Sequence, residues 1–139
     1  GYTPTAVQVM EYVTIATTGQ IADFGSLTRP AQEPAGACAN SVRGLIAGGT
    51  APSSNAIDFI TMASLGDAQD FGDLGAACNS CMGGTNSPVR AIFGGVGGPG
   101  ANNVIEYVSI MSKGNAINFG DLTVARHIGS CCSNVHGGL

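Results

Sequence analysis

The stretch Asp58-Phe-Ile-Thr-Met-Ala-Ser-Leu-Gly66, followed by Asp70-Phe-Gly-Asp-Leu74, occurs three times in this chain. Its first copy is Glu11-Tyr-Val-Thr-Ile-Ala-Thr-Thr-Gly19 with Asp23-Phe-Gly-Ser-Leu27, and its third is Glu106-Tyr-Val-Ser-Ile-Met-Ser-Lys-Gly114 with Asn118-Phe-Gly-Asp-Leu122. Acid, aromatic and glycine recur at offsets of 47 and then 48 residues. A second block repeats with them: Val42-Arg-Gly-Leu-Ile-Ala-Gly-Gly49 matches Val89-Arg-Ala-Ile-Phe-Gly-Gly95. Self-similarity at a fixed period of this length is the mark of a repeat architecture.

Each unit reads as β-structure. Over Glu11 to Ala16 and Glu106 to Met111, apolar Val and Ile alternate with Tyr, Thr and Ser, the period of a pleated strand. Gly19, Gly66 and Gly114 sit in polar surroundings suited to a turn. Phe-Gly-x-Leu is expected to form a short strand ending at a further turn. Leu45 to Gly49 and Ile92 to Gly95 are brief apolar strands halted by paired glycines. No helical period runs over 11 residues, so the expected fold class is all-β.

Length and charge bound what such a repeat can be. The chain has 139 residues, enough for one domain that buries a substantial core. Its expected organisation is a single repeat domain over 1–139, with units of approximately 7–54, 55–102 and 103–139. Only 10% of residues are charged, against about 25% in typical domains. The net charge of −4 excludes a nucleic-acid binder, which needs a basic footprint. No apolar run reaches the 18 or more residues of a membrane helix. There is no recognisable targeting segment, and the opening glycine is that expected of a processed form or a fragment.

A unit of three to four short strands cannot hide both faces, so neighbouring units must cover one another. A β-propeller with one blade per repeat is the expected architecture, and a β-solenoid-like stack is the alternative. About three units are too few for a closed propeller of 4–8 blades. Further repeats, or self-association of copies, are therefore expected in place of a closed monomer. An open stack polymerising through its uncovered ends is a further route.

At these residues the sequence resembles the kelch repeats. Gly48-Gly49 and Gly94-Gly95 resemble the kelch double glycine, and Tyr12, Phe59 and Tyr107 resemble its tyrosine. Phe24, Phe71 and Phe119 stand where kelch has tryptophan, and Thr123-Val-Ala-Arg126 is similar to its arginine-bearing turn. The chain departs from that pattern in having no tryptophan, and in Gly75-Ala-Ala-Cys78 and Thr28-Arg-Pro-Ala31 at the matching turns. It is more closely similar to the kelch-like repeat proteins of aquatic bacteriophages, in residues 11–19, 118–126 and 132–139. That resemblance implies a virion or tail-associated role, structural or receptor-binding.

The residues able to carry chemistry are few. Cys78-x-x-Cys81 has metal-ligand spacing, and Cys38, Cys131 and Cys132 are the remaining cysteines. Packing is their expected role, with a disulfide and a zinc site as the alternatives. Cys131 and Cys132 fall on an expected strand, where neighbours point to opposite faces. His127 and His136 have no nucleophile motif beside them. Glu11, Asp58 and Glu106, with Asp23, Asp70 and Asn118, recur once per unit; a ring of them would attract a cation, whereas the simpler expectation is that Asp23 and Asp70 cap a turn, as Asn118 would do equally well. Gly94 to Gly100 lacks the Lys-Ser/Thr of a phosphate loop. Phe24, Phe71 and Phe119 are expected to be packing anchors between units.

The expectation is therefore a non-enzymatic structural and recognition module without catalytic residues, metal or cofactor, extracellular or on a virion surface, as in a tail fibre. Its partners are expected to be copies of itself or further repeats, and host-surface glycan or protein. The inter-strand loops Thr50 to Asn55, Val96 to Asn103 and Arg29 to Ala35 would carry recognition. Two alternatives are a self-assembling filament subunit without a ligand and a propeller-based glycan-active enzyme using the recurring acids.

Overall fold

The computed structural model describes residues 5–32, 36–50, 52–78, 82–97, 100–126 and 129–133. Among them every regular element is a strand: β1 (Val7–Tyr12), β2 (Ala22–Ala31), β3 (Gly36–Ala39), β4 (Arg43–Ala47), β5 (Ser54–Thr61), β6 (Gln69–Cys78), β7 (Met82–Asn86), β8 (Arg90–Gly94), β9 (Asn102–Ser109) and β10 (Ile117–Arg126). They form three antiparallel sheets that do not close on themselves. Two are four-stranded meanders in chain order, β3-β4-β5-β6 and β7-β8-β9-β10, and the third is the pair β1-β2. The repeat thus appears as two full sheets and the last two strands of another. Each full sheet takes strands from two consecutive sequence units, because its first strand begins at Gly36 or Met82.

Two strand expectations are corrected. The strands bearing the recurrent acid start earlier and stop sooner, at Tyr12 and Ser109 in place of Ala16 and Met111. The chain turns before the glycine, with Thr17, Ser64 and Ser112 donating to Thr14, Thr61 and Ser109 carbonyls. Phe-Gly-x-Leu, expected to be short, lies inside ten-residue strands. In each of these the pairing slips beside Phe24, Phe71 or Phe119. A bulge of this kind increases local twist and turns backbone groups away from the ladder.

The core lies between and within the two full sheets. Leu45, Ile57, Phe71, Phe93, Val96 and Ile110 are fully buried there. The inner strands β3 and β7 pack against each other, which explains their run of small residues. A Cβ on Gly36 would meet the Gly84 nitrogen at 2.9 Å and the Phe93 ring at 3.2 Å, and one on Gly84 would meet the Ala37 carbonyl at 3.1 Å and Cys38 Sγ at 3.3 Å. Cys38 is a small buried side chain in that seam, the packing role expected of it.

The turns between first and second strands are capped by side chains. Asn40 Oδ1 accepts from Val42 and Arg43 nitrogens at 2.9 and 2.8 Å. Ser87 Oγ accepts from the equivalent Arg90 nitrogen at 3.1 Å. The double glycines end the second strands, with φ of 61° at Gly48 and 67° at Gly95, a conformation only glycine holds cheaply. In the run after Gly94, Gly97 and Gly100 also have positive φ, and residues 98–99 lie outside the described residues.

Candidate assembly interface

The geometry that recurs most faithfully is the junction between successive sheets. The loop after β5 grips β2: Gly66 and Ala68 nitrogens donate to the Phe24 and Ser26 carbonyls, each at 2.8 Å, and Asp67 Oδ1 accepts from the Ser26 nitrogen at 2.9 Å. The loop after β9 grips β6 in the same way. Gly114 and Ala116 donate to Phe71 and Asp73 carbonyls at 2.9 and 2.8 Å, and Asn115 Oδ1 accepts from the Asp73 nitrogen at 3.1 Å. Aspartate and asparagine are interchangeable there because only an acceptor oxygen is used. The bulge at Phe24 and Phe71 frees the carbonyls for this second set of bonds.

Gly25 and Gly72 sit under the docked loops with φ of 144° and 149°. A Cβ on Gly72 would overlap the Gly114 carbonyl oxygen. Gly72→Ala is expected to cost about 1–3 kcal/mol from backbone strain alone, with further loss from displacing the loop. Denaturant unfolding of the variant checks this, and a midpoint equal to that of the parent would refute it.

The recurrent acids belong to the same junctions. Asp58 is wholly buried and Glu106 nearly so, while Glu11 is exposed. Asp58 accepts from the Thr28 nitrogen at 3.2 Å, from Thr28 Oγ1 at 2.6 Å and from Arg29 Nη1 at 3.0 Å. Arg29 Nη2 also donates to the Gly48 and Ala56 carbonyls at 2.7 and 3.0 Å. Glu106 accepts from the Gly75 nitrogen at 2.9 Å. The two pairs trade length: a short acid faces Thr28, and the longer acid faces Gly75, where a Cβ would strike the carboxylate.

These acids therefore do not assemble into a ring, and the described residues contain no group of three or more His, Cys, Asp and Glu arranged to hold a metal. Asp23, Asp70 and Asn118, expected to cap turns, instead lie inside β2, β6 and β10, and Asp23 Oδ1 accepts from the Gly25 nitrogen at 3.1 Å across the bulge. Arg29, expected in a recognition loop, is a strand residue inserted into the next sheet. The sequence carried no signal for this role, because the burial of Asp58 that demands a partner comes from the neighbouring sheet.

The other expected loops shrink too. Ser54 and Asn55 belong to β5, Asn102 and Asn103 to β9, and Val96 is buried; residues 33–35, 51 and 98–99 lie outside the described residues. His127 and His136 also lie outside them.

The aromatic positions form one edge-to-face pair per sheet: Tyr12 with Phe24, Phe59 with Phe71 and Tyr107 with Phe119, centroids 6.0 to 6.1 Å apart. Phe71 is buried as an inter-unit anchor, whereas Phe119 is 51% exposed. Arg43 and Lys113 flank the Phe59 ring at 4.7 and 4.8 Å, the lysine arriving from the following sheet. Over Tyr107 only Arg90 is present among the described residues, at 4.5 Å. A groove of about 470 Å³ opens beside that ring, lined also by Ser112 and Asn115. At the other end, a groove of about 390 Å³ runs along the β1-β2 pair and is walled by Ile46 and Ile60 of the next sheet.

The cysteines divide. Cys78 is disulfide-bonded, which corrects the expectation that packing alone accounts for it. Cys38, Cys131 and Cys132 are free thiols, and the last two are exposed and lie outside any strand, contrary to expectation. Burial pushes the Cys38 thiol from 9.0 up to about 12. Cys131 is also raised, by burial and then by neighbouring Cys132.

Iodoacetamide at pH 8 without reductant is expected to label Cys131 and Cys132 in the folded protein, to reach Cys38 only after denaturation, and to leave Cys78 unmodified. Peptide mass mapping reads this directly. Because the unfolded chain ionises Cys38 near 9 and the folded chain near 12, the stability from keeping this thiol neutral is complete below about pH 9. It is then lost as pH rises toward 12, by up to about 1.4 kcal/mol per pH unit. A Cys38→Ala variant should show a flatter decline.

No family model and no curated protein matches the chain. No helix among the described residues is long and apolar enough to cross a membrane.

Proposed function

We infer that this chain is a non-enzymatic structural and recognition module, built of kelch-like propeller blades, in an extracellular or virion-surface assembly such as a tail fibre. The observation that carries the reading is the use made of the recurrent acids. Asp58 and Glu106, the groups a propeller-based enzyme would have needed around a cleft, are consumed holding one sheet to the next. Four-stranded meanders in succession, with inner strands of small residues in contact, support blades over a solenoid. The Cys78 disulfide supports an oxidising compartment. A surface poor in charge and rich in Thr, Ser, Asn and Gly suits hydrogen bonding to glycans.

The test is retention of the purified chain on a panel of bacterial surface glycans and whole cells, with the same glycans recovered for mass analysis. Retention of a defined set, recovered intact, supports the reading. Glycans returned cleaved would instead establish the enzymatic alternative, and no retention on any surface would leave the filament-subunit role in its place.

A further inference from the structure

The junction that occurs twice has its two halves also on β10 and on the β1-β2 pair, where the described residues leave them uncovered. On β10, Phe119, Asp121 and Thr123 occupy the positions of Phe24, Ser26 and Thr28, and of Phe71, Asp73 and Gly75. Among the described residues nothing grips them. The face is open, with Phe119 51%, Ile117 58% and Val124 58% exposed. On the β1-β2 pair, Gly19, Gln20 and Ile21 occupy the positions of the gripping triplets Gly66-Asp67-Ala68 and Gly114-Asn115-Ala116, and Glu11 that of Asp58 and Glu106. Glu11 and Ile21 are exposed. Gly66 and Gly114 hold φ of 148° and 154° in their docked loops, whereas Gly19 is not among the positive-φ glycines. The 13–21 loop makes no hydrogen bond to another sheet among the described residues.

We propose that the β10 face of one copy takes the β1-β2 end of a second copy, head to tail, through a third instance of the internal junction. Gly19 and Ile21 nitrogens donate to Phe119 and Asp121 carbonyls, and the Gln20 side-chain carbonyl accepts from the Asp121 nitrogen. Glu11 accepts from the Thr123 nitrogen and hydroxyl, as Asp58 does from Thr28. Glu11 opposite Thr123 departs from the length matching of the two internal pairs, so its carboxylate has to tilt off the Thr123 side chain to make these bonds. The groove beside Tyr107 receives the 13–21 loop, as the Phe59 ring receives Lys113. A second copy is the occupant because both faces are complementary to each other and continuous with an interface the chain already makes. Such a heterologous contact builds a ring or a fibre.

The proposal rests on the assembly role inferred above, but its test is separate. Sedimentation velocity of the full chain from 1 to 200 μM is expected to show concentration-dependent association. Glu11→Lys and Thr123→Asp are each expected to weaken it at least tenfold with unchanged melting, since both residues are exposed in the free chain. Mixing the two variants sets the introduced amine against the introduced carboxylate at one junction and leaves native residues at the next, so association returns. A parent chain that stays monomeric throughout overturns the proposal while leaving glycan retention untouched. Association indifferent to both variants, or not regained on mixing, overturns it as well by placing the contact elsewhere.

Discussion

Asp58→Ala is expected to lower stability by about 3–5 kcal/mol, enough to shift the melting temperature by roughly 10 °C or more. The carboxylate is fully buried, and it holds an arginine whose side chain keeps 21% of its exposure. Removing the acid strands the Arg29 charge and the Thr28 hydroxyl between two sheets, so the loss exceeds that of one hydrogen bond. Arg29 Nε already lacks a partner, which leaves the group little spare stabilisation. Because the acid ties β2 to the following sheet, the β1-β2 pair should detach first and lose hydrogen-exchange protection before the full sheets do. A double-mutant cycle of Asp58→Ala with Arg29→Ala should return a coupling above about 1 kcal/mol. Glu106→Ala should cost less, about 1–3 kcal/mol, because it releases a single backbone donor. Equal costs at the two sites would refute this account of the ion pair.

Phe71→Ala should cost about 3–5 kcal/mol, as truncation of a buried aromatic does. Its ring lies edge-on to Phe59, 6.1 Å away, and is 2% exposed beneath the following sheet. Phe119→Ala removes the same residue from the same place in the next unit, with the same partner geometry toward Tyr107. That ring is half exposed, so its cost should stay within roughly 1 kcal/mol under conditions where the chain is monomeric. Chemical denaturation of the two variants side by side measures the difference. Comparable losses at both sites would mean that coverage by the next sheet contributes little, and that packing between units is not what anchors the buried ring.

The repeat, the β character and the halting effect of the double glycines were legible without coordinates, because they depend on periodicity and on φ that only glycine tolerates cheaply. Strand limits were not. Alternation in Glu11 to Ala16 and Glu106 to Met111 continues past the point where the chain turns, and the turn is closed by local backbone bonds in the undocked first loop as in the docked ones. The recurring acids were visible as positions but not as roles. A carboxylate at a fixed place in each unit is compatible with a cation ring, a turn cap or an inter-sheet clasp, and sequence spacing within one unit does not separate these. The role of Arg29 was hidden for the same reason, since its partners come from residues 48, 56 and 58 of the following sheet.

What this sequence determined by itself is the unit: a short antiparallel meander, copied, with apolar and small residues at fixed phases, because strand alternation and glycine conformation are local physics. What only tertiary structure decided is how units meet. Burial of Asp58 and Phe71, and exposure of Glu11 and Phe119, follow from whether another sheet lies alongside. Identical local sequence thereby acquires different surroundings, and desolvation by a neighbour is a property that no single unit carries.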